Sequence, residues 1–244
     1  MKAVWALGFP GQARRKMQGA MACARSLDHR FTLAFGLYFS AWLFKLCGED
    51  ADLRDATAEA VKICDEYGFP FWGLSSAGLR GSTLLEHANA EDGIAAMRSA
   101  LTTYEASGAE LCRPALLCLL ATSLARTGHP DQGLEVLTQA FAAMEKSQER
   151  WWQAEALRLR GELLLMLPGD QAAEARAAFA EALAVAGRQQ APSWELRAAA
   201  SLFRHRAKDA SSAGARELLA KVYGGFTEGL DTADLREARQ LLEA

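Results

Sequence analysis

Small side chains recur in this chain every 40 residues, and a period of that length restricts it to stacked copies of one structural unit. The first series is Ala41, Gly81, Ala121, Gly161 and Ser201. Twelve residues later a second series reads Leu53, Gly93, Gly133, Ala173 and Ala213, with Ala13 one period upstream, so only Leu53 is large. Seven residues further on, Ala20, Ala60, Ala100, Ala140, Ala180 and Ala220 form a third series without exception. Alanine is common in helix-rich chains, so one match would mean little, but six in register define a unit.

Close approach explains the pattern. Two antiparallel helices, and the first helix of the next pair, reach short interaxial distances only where side chains are small. Larger apolar residues three positions after the first series, Phe44, Leu84, Leu124 and Leu164, fill the space around them. One helical hairpin cannot bury both of its faces, so the units must stack. This series of small residues resembles the tetratricopeptide (TPR) repeat, which has about 34 residues, lengthened here to 40. The resemblance covers nearly the whole chain. It implies an all-α fold, an α-solenoid of antiparallel helix pairs closed by a C-terminal capping helix.

Turn residues place the units. Residues 2–7 read as the tail of a first helix, Gly8-Phe9-Pro10-Gly11 as its turn and 12–27 as the paired second helix. Complete pairs are expected over 29–68, 69–108, 109–148, 149–188 and 189–224, with 1–28 as a half repeat, all within one domain, 1–244. Gly68 suits the left-handed end of a helix and Pro70 the start of the next. Pro10 and Pro130 share a register with Asp50 and Asp170. All four suit a helix start, where proline lacks a donor that is not needed and aspartate accepts from exposed amides. After Tyr223 the period stops at a glycine-rich loop. A last helix over 231–243 carries Leu235, Ala238, Leu241 and Leu242 on one face and charge on the other. Because the array opens in mid-unit, the chain is expected to be the C-terminal part of a longer protein.

Composition excludes several classes of function. A net charge of -3 with a pI near 5.9 gives no footprint for a nucleic-acid binder, and no apolar run is long enough to span a bilayer. Arg14, Arg15 and Lys16 follow the first apolar residues, the reverse of a secretory signal, so a cytoplasmic location is expected. The five cysteines, Cys23, Cys47, Cys64, Cys112 and Cys118, lack a CxxC and read as buried reduced thiols. His87 and His129 sit beside inter-helix turns, and neither a metal nor a cofactor is expected. The glycine-rich loop lacks Gly-Lys-Ser/Thr and is no Walker-type phosphate loop. Glu155 and Glu162 share a helix face with Arg158 between them, an ion-pair set rather than an acid and a base. With no nucleophile elbow or Cys/His grouping, the chain is not expected to be an enzyme.

The ending VYGGFTEGLDTADLREARQLLEA, with GFPFWGLSSAGLRG, GAELCRPALLCLLA and ERWWQAEALRLRGELLL, resembles the C-terminal repeat arm of large bacterial regulators. In that family an adenylate or guanylate cyclase, kinase or DNA-binding domain precedes a P-loop ATPase module of the STAND type, and the arm follows. The resemblance implies a sensor or scaffold segment in signalling or transcription. No cyclase or ATPase motif is present, so neither activity carries over.

In stacked hairpins the first helices line the concave side. Positions six and three before, and one and four after, each member of the first series form that inward face. Unit one offers Phe35, Tyr38, Trp42 and Lys45; unit two Ser75, Gly78, Ser82 and Leu85. Unit three offers Ala115, Cys118, Thr122 and Ala125, with Arg126 adjacent. Unit four supplies Glu155, Arg158 and Glu162; unit five Glu195, Ala198, Leu202 and His205, with Arg206 adjacent. Aromatic and arginine side chains are the usual anchors of binding surfaces. Phe35, Tyr38 and Trp42 equally suit a surface covered by an upstream repeat. Trp72, Trp151, Trp152 and Trp194 are expected in core or inter-unit packing.

Three readings compete. The first is a non-catalytic scaffold holding a protein, a peptide or a neighbouring domain of its parent regulator. The second is an arm whose groove binds a small-molecule effector and controls an attached ATPase or cyclase. The third, an enzyme, has no motif behind it. Neither nucleic acid nor membrane is expected as a direct partner.

Overall fold

The computed structural model describes residues 1–84, 90–206 and 212–243, without the side chains of Arg206 and Ser212. Thirteen α-helices and no strand occur among the described residues. The half unit is α1 (Lys2–Ala6) with α2 (Pro10–Ser26). The next three pairs are α3 (Arg30–Cys47) with α4 (Asp50–Tyr67), α5 (Pro70–Gly81) with α6 (Ala90–Ser107), and α7 (Arg113–Arg126) with α8 (Pro130–Ser147). Then come α9 (Gln153–Leu164) with α10 (Ala172–Arg188), α11 (Pro192–Arg206) with α12 (Ser212–Gly224), and α13 (Ala233–Glu243). Leu85 and His87 lie outside the described residues.

Local chemistry sets the helix ends. Pro10, Pro70 and Pro130 stand at the starts of α2, α5 and α8. Asp50 and Asp52 lie in the first turn of α4, where the helix dipole favours negative charge. Gly48 and Gly68 close α3 and α4 with φ of 73° and 75°, a conformation that a β-carbon disfavours.

Each second helix packs on the first helix of its own pair and on that of the next, as α4 does on α3 and α5. First helices also touch one another, α3 with α5, α7 with α9 and α9 with α11, and so form the inner layer. Small residues permit this. A β-carbon on Gly81 would lie 2.5 Å from the Gly93 carbonyl oxygen, and one on Gly93 would lie 2.5 Å from that of Gly81. Ala41, Ala60, Ala100, Ala121 and Ala140 are fully buried.

In the fourth unit the period slips by two residues, which corrects the second and third series. Ala173, Ala180, Ala213 and Ala220 are exposed. The buried residues with the same seven-residue spacing are Ala175 and Ala182 in α10, and Ala215 and Val222 in α12. Left-handed residues between units tell the same story: Asp28, Gly68, Gly108 and Gln148 are 40 apart, and Gln190 follows 42 later. The extra residues lie between α9 and α10, since α8 opens at Pro130 and α10 at Ala172. Ala20 is exposed as well, because α1 has only five residues and covers only the start of α2.

The two ends of the array meet. α1 packs on α3, as stacking requires, and also on α11. Trp5 lies edge-on to Trp194 at 4.7 Å, and the Ser193 hydroxyl donates to the Trp5 carbonyl at 2.6 Å. Arg197 lies 5.1 Å from each of these indoles and donates to the Leu46 carbonyl at 3.0 Å. Past α12, Glu228 accepts from the Gln12 amide at 2.8 Å and pairs with Arg15 at 3.2 Å, while Asp231 pairs with Arg14 at 2.9 Å. Arg14 also pairs with Glu49. The described units close on themselves, a curvature that the repeat pattern does not fix, and the glycine-rich loop forms part of the seam.

Candidate functional site

Closure fills the inner wall with the chain's own side chains. All six tryptophans join one connected strip of ring contacts. From Trp5 and Trp194 the strip runs through Trp151 and Trp152 and crosses to Trp42 at 5.7 Å. It continues through Tyr38, Phe39 and Trp72 to Phe35, Phe31, Phe69 and Tyr67. Its two ends differ in exposure. Trp5, Tyr38, Trp42, Trp152 and Trp194 are at most 2% exposed, whereas Phe31 and Phe35 are 40% and Tyr67 45% exposed. Phe39, Phe69 and Trp72 are half-buried between them. Phe35 therefore forms an edge of a solvent-facing shelf, while Tyr38 and Trp42 are core. The Tyr38 and Tyr104 hydroxyls are 2.9 Å apart, and burial pushes both phenols up, Tyr104 to about 12.

Three cations of the chain lie over this strip. Lys2 Nζ is 4.5 Å from the Trp151 ring, 5.1 Å from Phe39 and 5.7 Å from Trp42. Arg197 stands between Trp5 and Trp194, and Arg30 lies 5.7 Å over Tyr67. Aromatic faces carry negative potential and attract such groups.

The middle of the wall is closed. Ser75 and Ser82 are buried, as are Gly78, Ala115, Cys118 and Ala125. Thr122 is half-buried and donates to the Cys118 carbonyl at 2.9 Å, and Arg126 is exposed.

At the charged end, ion pairs link α9, α11 and α13. Arg158 donates to both Glu155 oxygens, at 2.8 and 2.9 Å, to Glu162 at 3.3 Å and to Ser201 at 3.1 Å. Arg197 joins Glu155 at 3.2 Å to Asp234 at 2.8 Å; Arg204 joins Glu162 at 3.0 Å to Glu237 at 3.3 Å. The three arginines, Asp234 and Glu237 surround a polar cavity of about 250 Å³. Glu155 is 5% exposed, and burial acts to raise its carboxyl, but Arg158 and Arg197 outweigh that and hold it at about 2. For Asp234 burial prevails over Arg197 and the carboxyl is raised. Lys45 pairs with Asp50 at 3.5 Å, and burial lowers its ammonium.

The two-residue slip decides which α11 residues reach this network. Counted in the shifted register they are Arg197, Ala200 and Arg204, all of which line the cavity. Glu195 and His205 are half-buried, and the His205 ring faces Phe179 at 6.3 Å. The Arg206 side chain lies outside the described residues. Sequence reasoning thus passes over Arg197 and Arg204. Their signal is the spacing of 42 between Trp152 and Trp194, two equivalent tryptophans each 2% exposed.

A second, largely apolar cavity of about 660 Å³ lies between α1 and the inter-unit turns, walled by Lys2, Leu7, Leu111, Glu149, Trp151 and Trp194. Glu149 accepts from the Cys112 amide at 2.9 Å and from the Trp151 indole at 2.7 Å. Among the described residues no helix is long and apolar enough to cross a membrane, and no three His, Cys, Asp or Glu side chains form a group that could hold a metal ion.

No family model and no curated protein matches this chain. Among solved structures it is similar to the crystal structure of nearly identical TPR-like repeats of a Podosopora anserina protein named as a candidate kinesin light chain. The TM-score is 0.53 at 16% identity, over 77% of this chain and 92% of that one. At that identity the likeness is one of fold. With its helix pairs, inner layer and recurrent small residues, the chain is a TPR-like helical array.

Proposed function

We propose that the chain is a non-catalytic protein-interaction scaffold that holds its partner on the half-exposed shelf formed by Phe31, Phe35, Phe69 and Trp72. One observation carries this reading: the aromatic strip is largely buried at one end and opens to solvent at the other. Contiguous exposed aromatics of this kind mark interaction surfaces, and their buried continuation keeps the shelf rigid, so little ordering entropy is lost on binding. The resemblance to the repeat arms of bacterial regulators supports a place in a larger cytoplasmic signalling or transcriptional protein. The partner would then be a separate protein, a peptide or another domain of the same parent.

A random peptide library panned on the immobilised chain tests the scaffold. Enriched peptides should lose at least about tenfold in affinity against the Phe31→Ser/Phe35→Ser variant, measured at a temperature where circular dichroism shows that variant folded. No enrichment, or enrichment indifferent to both substitutions, refutes the reading.

The cavity beside α1 favours a second reading, an arm that senses a small-molecule effector. Its volume, about 660 Å³, falls within the range of small-molecule sites. Leu111, 55% exposed, lies on its wall. Thermal stabilisation by a metabolite, abolished by Leu111→Arg, would favour sensing; a library that shifts nothing would remove it.

A further inference from the structure

Chemistry at the shelf also points to the kind of partner, an inference that rests on the shelf binding protein at all. The same strip already seats cations at several points along its length. Phe39, which touches Phe35 at 4.6 Å and Trp72 at 6.2 Å, has the Lys2 ammonium 5.1 Å from its ring. At the far edge Arg30 lies over Tyr67, whose ring stacks at 6.5 Å on Phe69 of the shelf.

Three exposed carboxylates, Asp28, Asp65 and Glu66, flank the shelf against one exposed cation, Arg30, which leaves an acidic excess. Asp65 and Glu66 are exposed in the last turn of α4, which carries no basic residue. That is the helix end whose dipole favours cations, so both carboxylates stand where positive charge is missing. Asp65 Oδ1 lies 3.9 Å from where a β-carbon on Gly73 would be, beside Trp72. Asp28 is exposed at the other edge, 3.1 Å from Arg30. A basic segment would be attracted by the ring faces and by the acidic excess, whereas an acidic one would find only Arg30, already paired with Asp28.

We propose that the shelf of Phe31, Phe35, Phe69 and Trp72 is a docking site for a basic peptide segment. Its lysine or arginine side chains lie over the rings, with Asp65 and Glu66 as the rim charges. Lys2 on Phe39 is the intramolecular example of the same contact.

Fluorescence anisotropy with three labelled octapeptides on the full chain provides the test: an alternating Ala-Arg-Ala-Lys peptide and its glutamine and glutamate counterparts. The basic peptide should bind at least about tenfold more tightly than the glutamine peptide, and the glutamate peptide more weakly than either. Asp65→Asn/Glu66→Gln should remove several-fold of that preference and flatten its salt dependence, and Phe35→Ala should cost about tenfold. Hydrogen exchange on the wild type locates the site without any variant: the basic peptide should protect residues 66–74.

Equal binding of the basic and glutamine peptides overturns the cation proposal and leaves the scaffold standing, provided the panned library still selects ligands. Protection confined to the arginine-lined cavity around Arg158 and Arg204 overturns it too, as does a self-associated chain that Phe35→Ala makes monomeric. A library that selects nothing fails the scaffold itself.

Discussion

Replacing Glu155 by glutamine keeps the side chain's shape and removes the negative charge between Arg158 and Arg197. In the folded chain those arginines overcome burial and hold the carboxyl at about 2, against 4.5 for an ordinary glutamate. At about 1.36 kcal/mol per pH unit, the depression contributes about 3 kcal/mol of stability near neutrality. That contribution is complete above the ordinary carboxylate range, shrinks as pH falls from 4.5 and is lost through about 2. Glutamine resembles the protonated acid and lacks it at every pH. Urea unfolding should therefore find Glu155→Gln less stable than wild type by about 3 kcal/mol at pH 7 and by roughly half of that at pH 3, with the two converging near pH 2. A difference that stays constant between pH 7 and pH 3, or one below about 0.5 kcal/mol at pH 7, would refute the account of a carboxylate held ionised by two arginines.

Four further outcomes are expected. Ala182→Lys should cost more than about 3 kcal/mol or prevent folding, while Ala180→Lys should stay within about 0.5 kcal/mol, as denaturant curves for the pair would show. Gly161→Ala should cost about 1–3 kcal/mol, because its β-carbon would lie 2.5 Å from Phe179 Cε1; Gly19→Ala, in open space within α2, should gain about 0.5–1 kcal/mol. At the seam, Phe226→Ala should cost about 3–5 kcal/mol in thermal or chemical unfolding, and Glu228→Ala only about 1 kcal/mol, since apolar burial outweighs a partly exposed ion pair. Mass spectrometry after brief thiol alkylation should find Cys23 modified and Cys47 untouched, since Cys23 is exposed while burial pushes the Cys47 thiol up to about 12.

Much of the architecture is legible in the sequence because close packing tolerates few side chains. Gly81 and Gly93 stand opposite each other with no room for a β-carbon, and the 40-residue interval that links them to Ala121 and Gly133 is a packing requirement written directly into residue identity. Helix starts at Pro10, Pro70 and Pro130 are legible for the same kind of reason. The two-residue slip is not, because α10 carries Ala172, Ala173, Ala175, Ala177, Ala178, Ala180, Ala182, Ala184 and Ala186, and an alanine fits every register there. Hence Ala180 matches the series by composition while Ala182 does the packing. The same slip hides Arg197 and Arg204. Trp42 is buried against Trp152 of the fourth unit, a consequence of curvature summed over the intervening units that no local pattern records, while Tyr38 is covered by Trp72 and Tyr104 of the next unit.

A linear stack of hairpins frays from its ends, since each terminal unit has a single neighbour to hold it. Here the first and last units are neighbours of each other through Trp5, Trp194 and Arg197. Unfolding of α1 should therefore loosen α11, and the reverse. Units that ordinarily come apart piecemeal are thereby expected to melt together in one cooperative transition.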